Sequence, residues 1–176
     1  MPSRQLLSLC IAVVATGAAV AAPPHQHGAA RLDIAVDARR VSIFLESPLH
    51  DLLGFERAPR TDAERQRADA LLARLRDAAA LFGIDPAAGC TATGVTLESP
   101  VLGVGGGSAA PVAGDHADLQ GRFDFDCRQA GRAGFVTVGL FEAFPGLARI
   151  EVQVATPRGQ MKATLQRPSS RVALVR

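Results

Sequence analysis

The chain has 176 residues and a formal net charge of +2 at pH 7, and 48% of its residues are hydrophobic. A net charge this small provides no overall field that would recruit nucleic acid or an anionic membrane surface. Trp and Tyr are both absent, and these are the side chains that most often stack on sugars and bases, so saccharide binding and single-strand binding are disfavoured.

The first 22 residues have the features of a cleaved secretion signal. Residues 1–4 carry one positive charge, residues 6–20 are apolar, and Ala19 and Ala21 form a small-x-small cleavage motif. An apolar run of about fifteen residues is shorter than the roughly twenty that a membrane-spanning helix needs. We therefore predict export to the periplasm, with residues 23–176 forming a single periplasmic domain that does not insert into the membrane.

The mature chain begins with a predicted β-hairpin. Apolar and polar residues alternate over residues 32–37 and again over 41–46, which is typical of half-buried strands. Residues 38–40 would close the hairpin, and Pro48 would end its second strand. We expect a short turn or a one-turn helix over residues 49–55.

One long amphipathic helix is predicted next, over residues 62–82. Thr61 and Glu64 have the spacing of a capping box, and Gly83 provides a stop signal. The apolar residues that follow the box fall on one helical stripe; they are Ala68, Leu71, Leu72, Leu75, Ala79 and Phe82.

The remaining sequence predicts further strands and one loop. Alternation or apolar runs indicate strands near residues 91–97, 116–127, 135–140, 150–155 and 160–166, and the Gly-rich residues 103–114 are expected to form a flexible loop. A short helix is expected within residues 141–147. The predicted fold is α+β, a mainly antiparallel sheet of six or seven strands with the single long helix packed on it.

Cys90 and Cys127 are the two cysteines of the mature domain. An even count of two in an exported domain is typical of one structural disulfide rather than of a redox or metal centre. The alternation over residues 116–127 places Cys127 on the core side of its strand. We therefore predict a Cys90–Cys127 disulfide.

Motifs of the common enzyme classes are absent from the sequence. It contains no G-x-S-x-G elbow, P-loop, dinucleotide-binding fingerprint or H-E-x-x-H motif. We therefore expect a protein that is not an enzyme.

Four histidines follow the predicted signal. His25 and His27 would lie on the same side of an extended segment, where they could bind zinc or copper or have no function at all. His116 and Asp118 share the polar face of a strand, which fits either a second half-site or a solvated strand edge. His50 and Asp51 follow Pro48 and are interpreted as a turn pair.

Short motifs in order along the mature chain carry a family resemblance. They are His25-Gln26-His27-Gly28, Leu45-Glu46-Ser47-Pro48, Leu53-Gly54-Phe55-Glu56, Ala58-Pro59-Arg60-Thr61, Cys90, Leu97-Glu98-Ser99-Pro100, His116-Ala117-Asp118, Phe125-Asp126-Cys127, Leu140-Phe141, Phe144-Pro145 and Gly159-Gln160. In these residues the chain resembles the ZrgA-like family of periplasmic zinc-binding proteins. The resemblance implies a role in binding zinc for an import system, with a zinc importer or its binding protein as the partner.

The chain departs from the family pattern at two places. The resemblance implies a His-rich insertion before His116, but residues 101–115 contain no His, and Arg57 stands where many relatives would have a His. The ligands that the resemblance leaves are His25, His27 and His116, helped by a carboxylate such as Asp118 or Glu46. We expect low-affinity zinc binding; the alternative is a non-catalytic structural or protein-interaction module that has lost metal binding.

Overall fold

A computed structural model describes residues 28–105 and 117–174. The strands are β1 Ala29–Val36, β2 Arg40–Pro48, β3 Phe82–Ile84, β4 Cys90–Glu98, β5 Asp118–Cys127, β6 Phe135–Val138, β7 Arg149–Thr156, β8 Gly159–Gln166 and β9 Arg171–Ala173. The α-helices are α1 Leu49–Leu53, α2 Asp62–Arg76, α3 Ala78–Leu81 and α4 Leu140–Ala143. The predicted secretion signal, residues 1–22, and most of the predicted Gly-rich loop lie outside the described residues.

The larger sheet has six strands in the order β4-β5-β2-β1-β7-β8. Its pairings are antiparallel except that of β1 with β7, which is parallel from Ala29 opposite Arg149 to Ala35 opposite Ala155. The sheet is therefore mixed, and the expectation of an antiparallel sheet was correct only in part. Alternation identifies a strand but not its direction, and a parallel pair joins segments that are far apart in the sequence.

A second sheet of three strands, in the order β3-β6-β9, was not predicted. The described residues thus hold nine strands, six of them in the larger sheet, which agrees with the predicted sheet of six or seven strands. Both β3 and β9 have three residues, which is too short for alternation to be recognised. The Phe82 ring of β3 lies edge-on against the Phe123 ring of β5, with 4.8 Å between centroids, so the two sheets meet in one core.

Alternate residues of the large sheet's strands form that core, as the sequence pattern predicts. The side chains at these positions are buried, and they include Leu32, Ile34, Val41, Ile43, Leu45, Leu119, Phe123, Phe125, Ile150, Val152 and Val154. Hydrophobic residues of α2, α3 and the small sheet belong to the same cluster. The predicted hairpin is also confirmed, with Ile34 opposite Ile43.

The capping box at the start of α2 is confirmed. The Glu64 N–H donates to the Thr61 hydroxyl at 3.2 Å, and the Thr61 N–H donates to the Glu64 carboxylate at 3.3 Å. Arg57 adds two hydrogen bonds to the same carboxylate, at 2.9 and 2.7 Å. The Arg60 N–H also donates to this carboxylate, at 2.7 Å. The pKa of Glu64 is lowered to about 2, chiefly by the hydrogen bonds from Arg57 and then by the one from the Arg60 N–H.

The single helix predicted over residues 62–82 was wrong at its C-terminal end. Asp77 leaves the helical conformation with φ −88° and ψ 72°, and its side chain accepts a hydrogen bond from the Ala80 N–H. Asp favours such caps because its carboxylate satisfies a free amide of the next turn. The break changes which residues face the core, so Ala78 and Leu81 are buried whereas Ala79 is exposed.

The predicted disulfide is present. Cys90 and Cys127 lie directly opposite one another in the β4–β5 pairing, and a disulfide joins them with 3.9 Å between their Cα atoms. It ties the first residue of β4 to the last residue of β5. The cross-link therefore fixes how these two strands pair.

We predict that the double change Cys90→Ala with Cys127→Ala lowers the free energy of unfolding. The disulfide closes a loop with a sequence separation of 37, and removing it should cost about 4 kcal/mol in the chain-entropy model. Urea denaturation of the parent, the reduced parent and the double variant would measure the difference. Equal free energies in all three proteins would contradict the prediction.

The Arg57–Glu64 contact predicts a specific pH dependence. Because the folded-state pKa of Glu64 is lowered from 4.5 to about 2, its contribution to stability is present above about pH 4.5 and is lost as the pH falls towards 2. Arg57→Gln should raise the pKa of Glu64 and should destabilise the fold more at neutral pH than near pH 2. NMR titration of the Glu64 carboxyl and urea midpoints against pH would test both effects.

Arg76→Gln, at the other end of α2, is the matched control for this titration. It also removes one arginine from the helix, but it should leave the pKa of Glu64 unchanged. An unchanged Glu64 pKa in the Arg57→Gln variant would show that Arg57 is not the main cause of the lowered pKa.

Candidate functional site

The structure describes one of the four predicted metal ligands. Asp118 is the first residue of β5, is half-buried and lies opposite Pro48, the last residue of β2. His25, His27 and His116 lie outside the described residues. Their neighbours Gly28 and Ala117 are described, so the points at which these histidines join the fold are known.

The end of β2 lies between the starts of β1 and β5. Strand β2 pairs antiparallel with both neighbours, with Arg31 opposite Glu46 on one side and Asp118 opposite Pro48 on the other. Neighbouring strands lie about 4.8 Å apart, so the starts of β1 and β5 are separated by roughly 10 Å. We call the end of the sheet formed by Gly28, Pro48 and Ala117 the histidine edge, because each of its outer residues directly follows a histidine in the sequence.

Helix α1 follows β2 without a break and is hydrogen-bonded to both sides of the histidine edge. The Leu49 N–H donates to the Ala117 carbonyl at 2.8 Å. On the other side, the Gly28 N–H donates to the Asp51 carboxylate at 2.7 Å. The side chains of Leu49 and Leu53 are buried, so the helix is held firmly against the core.

Asp51 is the buried acidic side chain of this region, with 6% of its surface exposed. Two glycines permit the close packing around it. Gly28 has φ +78°, which residues with side chains rarely adopt, and a Cβ at Gly146 would overlap the Asp51 carbonyl oxygen. The Gly28 carbonyl in turn accepts hydrogen bonds from Ala148 and Arg149.

His50 lies beside Asp51 on the exposed side of α1. It lines an open cleft of about 550 Å³ together with Gly28, Asp51, Leu52 and Gly146. Both residues belong to α1, which agrees with the short turn or one-turn helix expected over residues 49–55; the position of this helix at the histidine edge was not predicted. Only the strand order shows this position, and no local sequence pattern reveals it.

No group of three or more His, Cys, Asp or Glu side chains within residues 28–105 and 117–174 is arranged to hold a metal ion. Glu46, the other carboxylate considered, lies on β2 opposite Gln120 and Arg31, on the face away from Leu45.

A family model described as ZrgA family zinc uptake protein matches residues 24–174. The chain belongs to this family. The match confirms the resemblance seen in the sequence motifs, and it covers His25, His27, His50 and His116. A search of curated proteins found no match.

Arg57 stands where the family resemblance leads us to expect a His. The Arg57 guanidinium binds Glu64 and lies over the Phe55 ring, 5.3 Å from its centroid. This position therefore supports the start of α2.

In the part of the chain that the structure describes, no helix is both long and apolar enough to cross a membrane.

We predict that Gly146→Ala destabilises the protein. A Cβ at this position overlaps the Asp51 carbonyl oxygen, and forcing extra volume into a packed region typically costs about 1–3 kcal/mol. Gly131→Ala is the matched control, since nothing lies within 4 Å of a Cβ built there. Thermal and urea unfolding would compare the two, and equal stabilities would show that the contact relaxes without cost.

Proposed function

We propose that the chain is a periplasmic, non-catalytic protein that binds zinc and passes it to an importer or to the importer's binding protein. Family membership supports the zinc-linked role, and the Cys90–Cys127 disulfide is typical of a protein outside the cytoplasm. The observation that supports the proposal is the histidine edge, because the strand order brings Gly28 and Ala117, which directly follow His27 and His116 in the sequence, to the same end of the sheet.

The proposed ligands are His25, His27 and His116, with Asp118 as the carboxylate. His27 is joined to Gly28 and His116 to Ala117 by single peptide bonds, and consecutive Cα atoms lie about 3.8 Å apart. The two attachment points are separated by roughly two strand spacings. The proposal assigns the histidines that precede these two points to one ion.

The site should hold at most one zinc ion per chain. A tetrahedral zinc site uses three or four ligands, and residues 101–115 supply no further His. Ordering a terminal segment on binding costs roughly 1–2 kcal/mol for each backbone residue that is fixed. We therefore expect modest affinity.

We predict that His116→Ala, and separately the double change His25→Ala with His27→Ala, each weaken zinc binding tenfold or more. Tenfold corresponds to about 1.4 kcal/mol. Isothermal titration calorimetry of the mature protein would measure affinity, and native mass spectrometry would count the ions. Because zinc binds neutral imidazole, affinity should also fall as the pH drops through about 6.5.

The control for these variants is Asp126→Ala, on the same strand as Asp118 but near its other end. It removes a carboxylate of β5 far from the histidine edge and should leave zinc affinity unchanged. A parent protein that binds no zinc at micromolar concentration would reject the proposal. The lack of His in residues 101–115 would then favour the protein-interaction module.

A further inference from the structure

We propose that β8 pairs edge to edge with the β8 strand of a second copy of this chain, which joins the two six-stranded sheets into one. Strand β8 is the last strand of the large sheet. Among residues 28–105 and 117–174, no strand pairs with its side away from β7; we call this side the open edge. The inference concerns self-association and does not depend on the proposed zinc function.

The two edges of the large sheet differ in how well they could accept another strand. Strand β4, at the other edge, has a register shift between Ala92 and Gly94, and such a bulge bends an edge strand away from further pairing. Strand β8 instead keeps an unbroken register with β7 from Gly159 to Gln166, and it contains no Pro. A long and regular edge of this kind is a template for pairing with another chain.

The hairpin between β7 and β8 determines which backbone groups point to the open edge. Thr156 and Gly159 are partners across a two-residue turn, so they form a hydrogen-bonded pair, and such pairs recur at every second residue. The odd-numbered residues of β8 therefore bond to β7. The N–H and C=O groups of the even-numbered residues point to the open edge; these residues are Gln160, Lys162, Thr164 and Gln166.

The side chains of β8 select one register for a self-paired strand. Residues directly opposite each other lie on the same face of a sheet, so the two-fold axis of such a dimer must pass through a residue. An axis at Lys162 pairs residues 159–165 but places two like charges against each other, which is destabilising. An axis at Ala163 pairs residues 160–166 and places Lys162 opposite Thr164. The second register is therefore favoured.

The register centred on Ala163 also covers apolar surface at the open edge. On the side of β8 that faces the core, Leu165 is buried, Met161 is half-buried and Ala163 is exposed. The pairing would place Met161 opposite Leu165 of the second copy, and the two Ala163 methyl groups against each other. The residues that meet on the other face are all polar; they are Gln160, Lys162, Thr164 and Gln166.

This pairing would leave the histidine edge of each copy uncovered. Gln166, at the end of β8, lies opposite Arg149, which lies opposite Ala29 at the start of β1. Strand β8 thus ends at the end of the sheet where the histidine edge lies. Because the two-fold axis reverses the direction of the second copy, the two histidine edges would lie at opposite ends of the joined sheet.

Cysteine cross-linking of the mature protein tests the register. In the proposed dimer the two Cα atoms at position 163 form a pair without hydrogen bonds, about 4.5 Å apart, and a disulfide can span this distance. Ala163→Cys should therefore give a covalent dimer under mild oxidation. Lys162→Cys is the matched control and should not, because its two copies would be offset by two residues along the strands, beyond the roughly 7 Å limit.

Sedimentation equilibrium measures the association itself. Ala163→Lys would place two like charges against each other. Thr164→Pro would remove an N–H that points to the open edge and would leave the hydrogen bonds to β7 intact. Each change should raise the dissociation constant of the dimer tenfold or more. Thr96→Lys, at an exposed position of β4, is the control and should leave the constant unchanged.

Thermal unfolding shows whether a variant keeps its fold. Ala163→Lys, at an exposed position, should unfold at the temperature of the parent, so it remains informative if Thr164→Pro is unstable.

Each outcome supports or overturns the inference. A parent that sediments as a monomer at every concentration overturns it, and so does a dimer that Ala163→Lys leaves unchanged, since that dimer uses another surface. Cross-linking of Lys162→Cys in preference to Ala163→Cys overturns the register centred on Ala163. Cross-linking of Ala163→Cys alone, together with weaker association of Ala163→Lys, supports the pairing of β8 with itself.

Discussion

Antiparallel pairing of β2 with both β1 and β5 is the constraint on which the candidate site depends. Since each neighbour runs opposite to β2, both must begin where β2 ends. The starts of β1 and β5, almost ninety residues apart by the numbers of Gly28 and Ala117, are thereby brought to the same edge. Helix α1 lies there because it continues directly from Pro48.

The disulfide supports this arrangement from the opposite end of β5. Asp118 begins the strand at the histidine edge, and Cys127 ends it in the cross-link to Cys90. A slip of one residue in the pairing would move Phe123 and Phe125 from the core to the solvent side. Core packing and the covalent bond therefore both fix the register that places Asp118 opposite Pro48.

Local sequence patterns predicted the features that depend on local chemistry. The alternation of apolar and polar residues correctly predicted β1, β2 and β5 and their buried faces. The spacing of Thr61 and Glu64 correctly predicted the start of α2. The parallel pairing of β1 with β7 depends on contacts distant in the sequence, and the helix break at Asp77 depends on one side chain that caps a new turn. The contact between Asp51 and Gly28 was not predicted for the first reason, because only the strand order brings Gly28 next to α1.

Arg57 stabilises the start of α2 at a position where the resemblance leads us to expect a His. Its guanidinium makes two hydrogen bonds to Glu64, whose carboxylate also accepts the N–H groups of Arg60 and Thr61. A neutral His at this position could not provide the same paired, charged contact. With Arg57 used in this way and residues 101–115 free of His, the histidines that follow the predicted signal are His25, His27, His50 and His116. On the proposed function, such a protein would bind single ions for transfer and would not store zinc in quantity.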